Sequence, residues 1–92
     1  MIVLKGKEPV GYGHLDREGG KVWLGTAVAE TEKGKGIGRM IMQRLMEEGR
    51  KGHAGKITLA VDNDNGPAIA LYKKFGFTLK KQENTISYYE RL

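Results

Sequence analysis

The chain opens on an apolar, β-branched stretch, Ile2 to Lys5, that closes at Gly6-Lys7-Glu8-Pro9, a turn composition. Val10 to Asp16 alternates loosely through Val10, Tyr12 and Leu15, and Arg17-Glu18-Gly19-Gly20 supplies the two glycines a hairpin loop tolerates. Lys21 to Glu30 reads as a third strand, with Val22, Leu24, Thr26 and Val28 on one face and Trp23 on the other. Together these predict an antiparallel meander. Gly25, inside the third strand, predicts a bulge or the close approach of another backbone.

After the glycine cluster Lys33-Gly34-Lys35-Gly36-Ile37-Gly38 the period changes. Ile37, Met40, Ile41 and Leu45 recur at helical spacing and predict a helix from about Gly38 to Gly49, ended by Gly49, Gly52 and Gly55. Met42 and Met46 broaden its apolar stripe; Arg39, Gln43, Arg44, Glu47 and Glu48 form its polar face. Lys56 to Asp62 predicts a fourth strand with Ile57, Leu59 and Val61 inward, and Asp62-Asn63-Asp64-Asn65-Gly66-Pro67 is a turn offering several N-caps. A second helix spans about Pro67 to Phe75, with Gly76 as its stop. Phe77 to Lys81 and Thr85 to Leu92 are the last strands. The order is β-β-β-α-β-α-β-β. A right-handed strand-helix-strand crossover makes the two middle strands parallel, so the class is α/β with a mixed sheet. No repeat, linker or low-complexity segment divides residues 1–92, which read as one domain.

A chain of 92 residues excludes a two-domain enzyme. The absence of cysteine excludes disulfide staples, thiolate nucleophiles and Cys-ligated zinc, and no metal is expected. No apolar run approaches the ~20 residues a membrane span needs. With no charged leader before the first apolar residues, a cytoplasmic location is expected. Charge changes the picture more. Residues 33–56 hold seven basic side chains against two acidic ones, which accounts for the whole net charge of +5. An anionic partner is implied, either nucleic acid or a phosphorylated small molecule, against the plainer reading of a solvated basic helix face.

A strand running into a glycine loop and then a helix aims unpaired N–H groups and the positive end of the helix dipole at one point. Glycine keeps side chains away from the bound oxygens and permits positive φ. A nucleotide-triphosphate P-loop is excluded because no glycine is followed by Lys-Ser or Lys-Thr, and the Gly-x-Gly-x-x-Gly fingerprint fails at Arg39 and at Ile41. What matches is Arg/Gln-x-x-Gly-x-Gly/Ala, here Lys33 through Gly38, after the strand Leu24-Gly25-Thr26-Ala27-Val28-Ala29. Beyond the next strand, Asn65-Gly66-Pro67-Ala68-Ile69-Ala70-Leu71-Tyr72-Lys73-Lys74-Phe75-Gly76-Phe77 fits Asn-x-x-Ala-x-x-Leu-Tyr-x-x-x-Gly-Phe. With these two motifs, and Pro9-Val10-Gly11-Tyr12 as a strand start, the chain resembles the GNAT superfamily of N-acetyltransferases along nearly its whole length.

The resemblance implies a GNAT-like fold with splayed parallel central strands, acetyl-coenzyme A as cosubstrate, and direct transfer of its acetyl group to a primary amine. It implies a pyrophosphate held by the backbone of Lys33, Gly34, Lys35, Gly36, Ile37, Gly38 and Arg39, with Lys35 and Arg39 adding charge at the rim. Val28 and Ala29 would pair with the pantetheine arm, an amide near Ala29 would polarise the thioester carbonyl, and Gly25 would mark the bulge that opens the wedge. Asn65 would meet the pantetheine, cap the second helix, or both, with Ala68 beside it on the cofactor. Tyr72 would protonate the departing thiolate or serve as a core aromatic. Glu30 is the candidate base, set against an exposed loop acid, and Asp62 is comparable. His14 could line the acceptor side; His53 reads as a surface residue.

The resemblance also implies a strand and two helices ahead of the matching segment, so the domain reads as N-terminally abbreviated. The sheet edge left open predicts a homodimer. A non-catalytic module binding coenzyme A or nucleic acid through the same loop is the alternative. Residues 33–56 lack the aromatics that a nucleic-acid surface interleaves with its charges, which makes nucleic acid the weaker partner.

Overall fold

The computed structural model describes residues 1–92. Its elements are β1 (Ile2–Lys5), β2 (Glu8–Glu18), β3 (Lys21–Val28), α1 (Ile37–Lys51), β4 (Ile57–Asp62), α2 (Gly66–Lys74), β5 (Thr78–Glu83) and β6 (Ile86–Arg91), with a 3-10 turn over Glu30–Glu32. The element order and the mixed α/β class are those the sequence predicts. All six strands form one sheet in the order β1-β2-β3-β4-β6-β5. Each pairing is antiparallel except that of β3 with β4.

That parallel pairing is brief. Only Val22 opposite Ile57 and Trp23 opposite Thr58 are in register. Past them β3 stays paired with β2 as far as Val28, and β4 stays paired with β6 as far as Asp62. The two inner edges therefore part and leave a wedge in the middle of the sheet.

The splay does not arise from a bulge at Gly25. The β2–β3 register runs from Gly11 opposite Val28 to Glu18 opposite Lys21 without a shift. The irregularities lie in the outer strands instead, between Val3 and Leu4 and between Leu79 and Lys81. What approaches Gly25 is a side chain, since a methyl group there would lie 2.5 Å from His14 Cε1. Strand β3 also stops at Val28 rather than Glu30, because the chain turns at Ala29 into the 3-10 segment.

Cross-strand partners share a face. Gly11, Gly13 and Leu15 thus face the same way as Val22, Leu24, Thr26 and Val28, and as Ile57, Leu59 and Val61. Both helices lie on this face: Gly11 and Gly13 sit beneath Ile37, Ile41 and Leu45 of α1, and Tyr72 of α2 reaches Thr26. Ile41, Met42 and Leu45 are fully buried among Leu24, Ile57, Leu59, Tyr72 and Phe77. Met40, expected on the apolar stripe, is 44% exposed, and Met42 takes its place in the core. The helix also runs through Gly49, where a glycine lets Ile57 pack against the backbone; it closes at Gly52. The opposite sheet face, with Tyr12, His14, Asp16, Trp23 and Ala27, carries neither helix.

The contact between α1 and β2 is tight enough to test. A methyl group on Gly13 would lie 2.4 Å from Ile41 Cγ2 and 2.9 Å from Leu45 Cδ1, with both partners locked in the core. Gly13→Ala is expected to lower the urea unfolding free energy by roughly 1–3 kcal/mol, the usual range for overpacking.

Candidate active site

The polypeptide leaves the wedge at Val28, makes the 3-10 turn, and reaches α1 through two left-handed glycines, Gly34 (φ 80°) and Gly36 (φ 85°). Only glycine holds this conformation without strain, and the space beside both α-carbons is open. Gly36 is the N-cap of α1 and brings no side chain to it. The first intrahelical bond runs from the Met40 N–H to the Gly36 carbonyl, at 3.1 Å. The N–H groups of Ile37, Gly38 and Arg39 therefore point out of the helix, at its positive end. A methyl group on Gly38 would lie 3.2 Å from Leu71 Cδ2, so glycine there is what brings this first turn close to α2.

The loop lysines are already engaged. Lys33 Nζ lies 2.9 Å from Glu30 Oε1, and Lys35 Nζ lies 3.0 Å from Glu32 Oε2. Glu32 is buried and also takes Lys5 Nζ at 3.2 Å, tying the loop to the end of β1. The hydrogen bond from Lys35, then that from Lys5, holds the Glu32 carboxyl below the usual carboxylate range. Lys35 thus faces Glu32 rather than the rim, whereas Arg39 has no ion pair and lines the cleft.

That cleft, of about 430 Å³, is bounded by Thr26, Ala27 and Val28, by the loop and first turn of α1, and by one side of α2. It gathers Val28, Lys33, Gly34, Gly36, Ile37, Gly38, Arg39, Asn65, Ala68 and Tyr72. Ala29, Lys35 and Glu30 are outside its lining. The Ala29 N–H donates to the Val10 carbonyl at 2.8 Å and is spent within the sheet. Because antiparallel pairing alternates, the N–H of Val28 is turned the other way, into the wedge. Asn65 lines the cleft and caps α2 as well, accepting the Ala68 N–H at 3.4 Å. Tyr72 is only 7% exposed, its ring against Phe77 and its hydroxyl 3.1 Å from Thr26 Oγ1. It is a core aromatic with a polar tip in the cleft.

The candidate bases separate. Glu30 is held by Lys33 in the 3-10 turn, with its side chain 85% exposed and outside the cleft, because β3 ends before it. Asp62 borders a different hollow with Asn63, Asp64, Asn84 and Thr85. His53 is exposed beyond α1, and His14 lies across Gly25 on the helix-free face. Three residues escaped the sequence reading. Thr26 carried a signal, its place on the inner face of β3 opposite the Tyr-bearing helix. Leu71 carried one too, lying inside the second motif. Glu32 carried none, since nothing local marks a loop carboxylate for burial.

The family model for the acetyltransferase (GNAT) family matches residues 1–77. The chain belongs to the GNAT family. Streptothricin acetyltransferase of Streptomyces lavendulae is 44% identical over 50 residues, which are 54% of this chain and 26% of that protein. A mycothiol acetyltransferase of Corynebacterium jeikeium is 36% identical over 58 residues, 63% of this chain and 16% of its own length. The GNAT chain thus spans about a quarter or less of these curated relatives. Among solved structures, PaiA N-acetyltransferase of Thermoplasma acidophilum, in complex with coenzyme A, superposes with a TM-score of 0.84 at 18% identity, covering 96% of this chain and 56% of that one. Ribosomal-protein-alanine N-acetyltransferase of Brucella melitensis gives 0.86 at 21%, covering 99% and 66%. These likenesses establish the fold.

The Glu32 pairs carry a pH signature. A carboxyl whose pKa is lowered by folding adds stability above its unfolded value, near 4.5, and that contribution is lost as pH falls through the folded value. Thermal melts from neutral pH to about pH 3 should show a steeper acid loss of Tm in the wild type than in Glu32→Gln. Parallel slopes would refute the linkage.

Proposed function

We propose that the chain forms the acetyl-coenzyme A-binding and acetyl-transfer part of an N-acetyltransferase, with a primary amine attacking the thioester directly in a ternary complex. The observation that carries this reading is the convergence on one cleft of three features. These are the uncapped N-terminus of α1 behind its left-handed glycines, the unpaired edge of β3, and the hydroxyl of Tyr72. The first suits a pyrophosphate, the second an extended pantetheine arm that completes the interrupted ladder, and the third a departing thiolate.

On this reading the amides from Gly34 to Arg39 take the phosphate oxygens, and the wedge-facing N–H of Val28 donates to the thioester carbonyl as negative charge develops on it. The amine nitrogen forms its bond to the carbonyl carbon, the C–S bond breaks, and the Tyr72 hydroxyl protonates the leaving sulfur. Thr26 orients that hydroxyl. Location follows the cosubstrate, to the cytoplasm. We also propose a homodimer through β1, an edge strand that exposes Ile2 (69%) and Leu4 (58%).

Calorimetric titration should give binding of acetyl-coenzyme A and none of a DNA oligonucleotide; the reverse would overturn the reading. Gly36→Asp, which strains the φ of 85° and sets a carboxylate among the amides, should weaken acetyl-coenzyme A binding about tenfold or more. Tyr72→Phe keeps the buried ring and should lower kcat by roughly 100-fold in an amine-panel assay, the scale of general acid catalysis. An unchanged rate at saturation removes the proton-donor role. Light scattering at high protein concentration should give twice the monomer mass.

A further inference from the structure

Tyr72 accounts for the leaving group and leaves the proton of the attacking amine without a taker. We infer that His14, held by Asp16, is the base that receives it. The inference rests on the acetyl-transfer reading above.

The geometry begins at Gly25. Glycine weakens a strand interior relative to alanine, and the space it leaves here is filled by one group. The three atoms nearest to a methyl group placed on Gly25 are His14 Cε1, Nε2 and Nδ1, at 2.5, 2.8 and 3.2 Å. The imidazole therefore lies across the backbone of β3. Asp16, two residues along β2 on the same face, sits with Oδ2 3.0 Å from His14 Nε2, and Tyr12, two residues the other way, stacks on the ring at 5.9 Å and 3°. Nε2 faces the Asp16 carboxylate, which favours the neutral tautomer protonated there and leaves Nδ1 as the ring nitrogen without a partner. The ring is fixed on both sides and remains 44% exposed, so an incoming molecule can reach it.

Its position relative to Tyr72 completes the case. Gly25 and Thr26 are consecutive residues of β3, just past the last pair with β4, and they face opposite ways. Thr26 meets the Tyr72 hydroxyl on the helical face; Gly25 carries the His14 imidazole on the free face. A proton acceptor and a proton donor thus stand on opposite faces of the same short stretch of β3, which is unpaired only on its wedge side. Below them, at the apex of the wedge, Thr58 Oγ1 is buried without a hydrogen-bond partner. An amine entering from the free face attacks the carbonyl carbon, gives one N–H proton to His14 Nδ1, and expels sulfur toward Tyr72, which supplies the proton for the thiol. The imidazolium then returns its proton to water and the tyrosinate takes one up.

The charged and titratable groups around the ring are few. Tyr12 and Asp16 face it from β2, and β3 presents Trp23, Gly25 and Ala27, with Lys21 over the indole at 5.8 Å. From the β1 side the α-amino group of Met1 donates to the Gly13 carbonyl at 2.7 Å. Asp16 is the sole carboxylate paired with the imidazole.

Nitrogen-15 NMR and kinetics test this together. The wild type should show an unprotonated Nδ1 in the neutral His14 ring, and Asp16→Asn should change that tautomer. Acetyl-coenzyme A should shift the His14 ring protons differently from coenzyme A, with His53 unmoved as the internal control. Amides of Gly34, Gly36 and Gly38 report binding itself. If they stay still, the cofactor reading falls and this one with it; if they move while His14 does not respond to the acetyl group, the His14 role alone is overturned. With benzylamine as acceptor, His14→Gln should lower kcat by about 100-fold, with KM for acetyl-coenzyme A unchanged. Gly25→Ala, which leaves the imidazole intact but displaces it, should lower kcat in the same direction. Variants with the wild-type rate would refute the assignment.

Discussion

The parting of β3 and β4 after two residue pairs is the constraint on which the rest depends. A parallel ladder in mid-sheet normally continues, because each abandoned N–H and carbonyl must find another partner. Here β2 pairs with β3 along its whole length and β6 pairs with β4, so the outer edges of both strands are satisfied and only the inner edges are left open. Those inner edges are able to accept an extended ligand as if it were a further strand.

Glycines set what lies around the wedge, and they do so in two distinct ways. Gly34 and Gly36 turn the chain through left-handed conformations and keep the amides bare. Gly11, Gly13, Gly38 and Gly49 have ordinary φ and act through close approach, bringing α1 down onto β2 and its first turn against Leu71. The second group fixes where the helix dipole points; the first leaves room for whatever it points at. Gly25 belongs to the second kind, although its neighbour is a side chain on the opposite face.

Element order, class and the loop-helix motif were legible because each has a local period or a local composition. The strand-to-helix change at Lys33–Gly38 is written in the spacing of Ile37, Ile41 and Leu45. What was not legible depends on pairing between distant residues. A glycine in a strand announces a close approach and not its partner, so Gly25 suggested a bulge where the structure has His14. The end of β3 at Val28 rather than Glu30 is set by the turn at Ala29, whose N–H is taken by Val10. Lys35 looked free because its partner, Glu32, is buried only once β1 brings up Lys5. Met40 and Met42 are both compatible with an apolar stripe, and only the tilt of α1 on the sheet decides between them.

The Glu30–Lys33 and Glu32–Lys35 pairs give the loop a character its basic composition conceals. The four side-chain charges of these pairs cancel within a few residues of the helix N-terminus, so an anion there meets fixed backbone dipoles beside the unpaired Arg39 guanidinium. Such dipoles act at contact range and are oriented, whereas free lysines act at a distance and are screened by salt. On the proposed reading the loop therefore selects partly by shape: a compact pyrophosphate enters between the amides, whereas a stiff polyanion that cannot enter is left with Arg39 at the cleft.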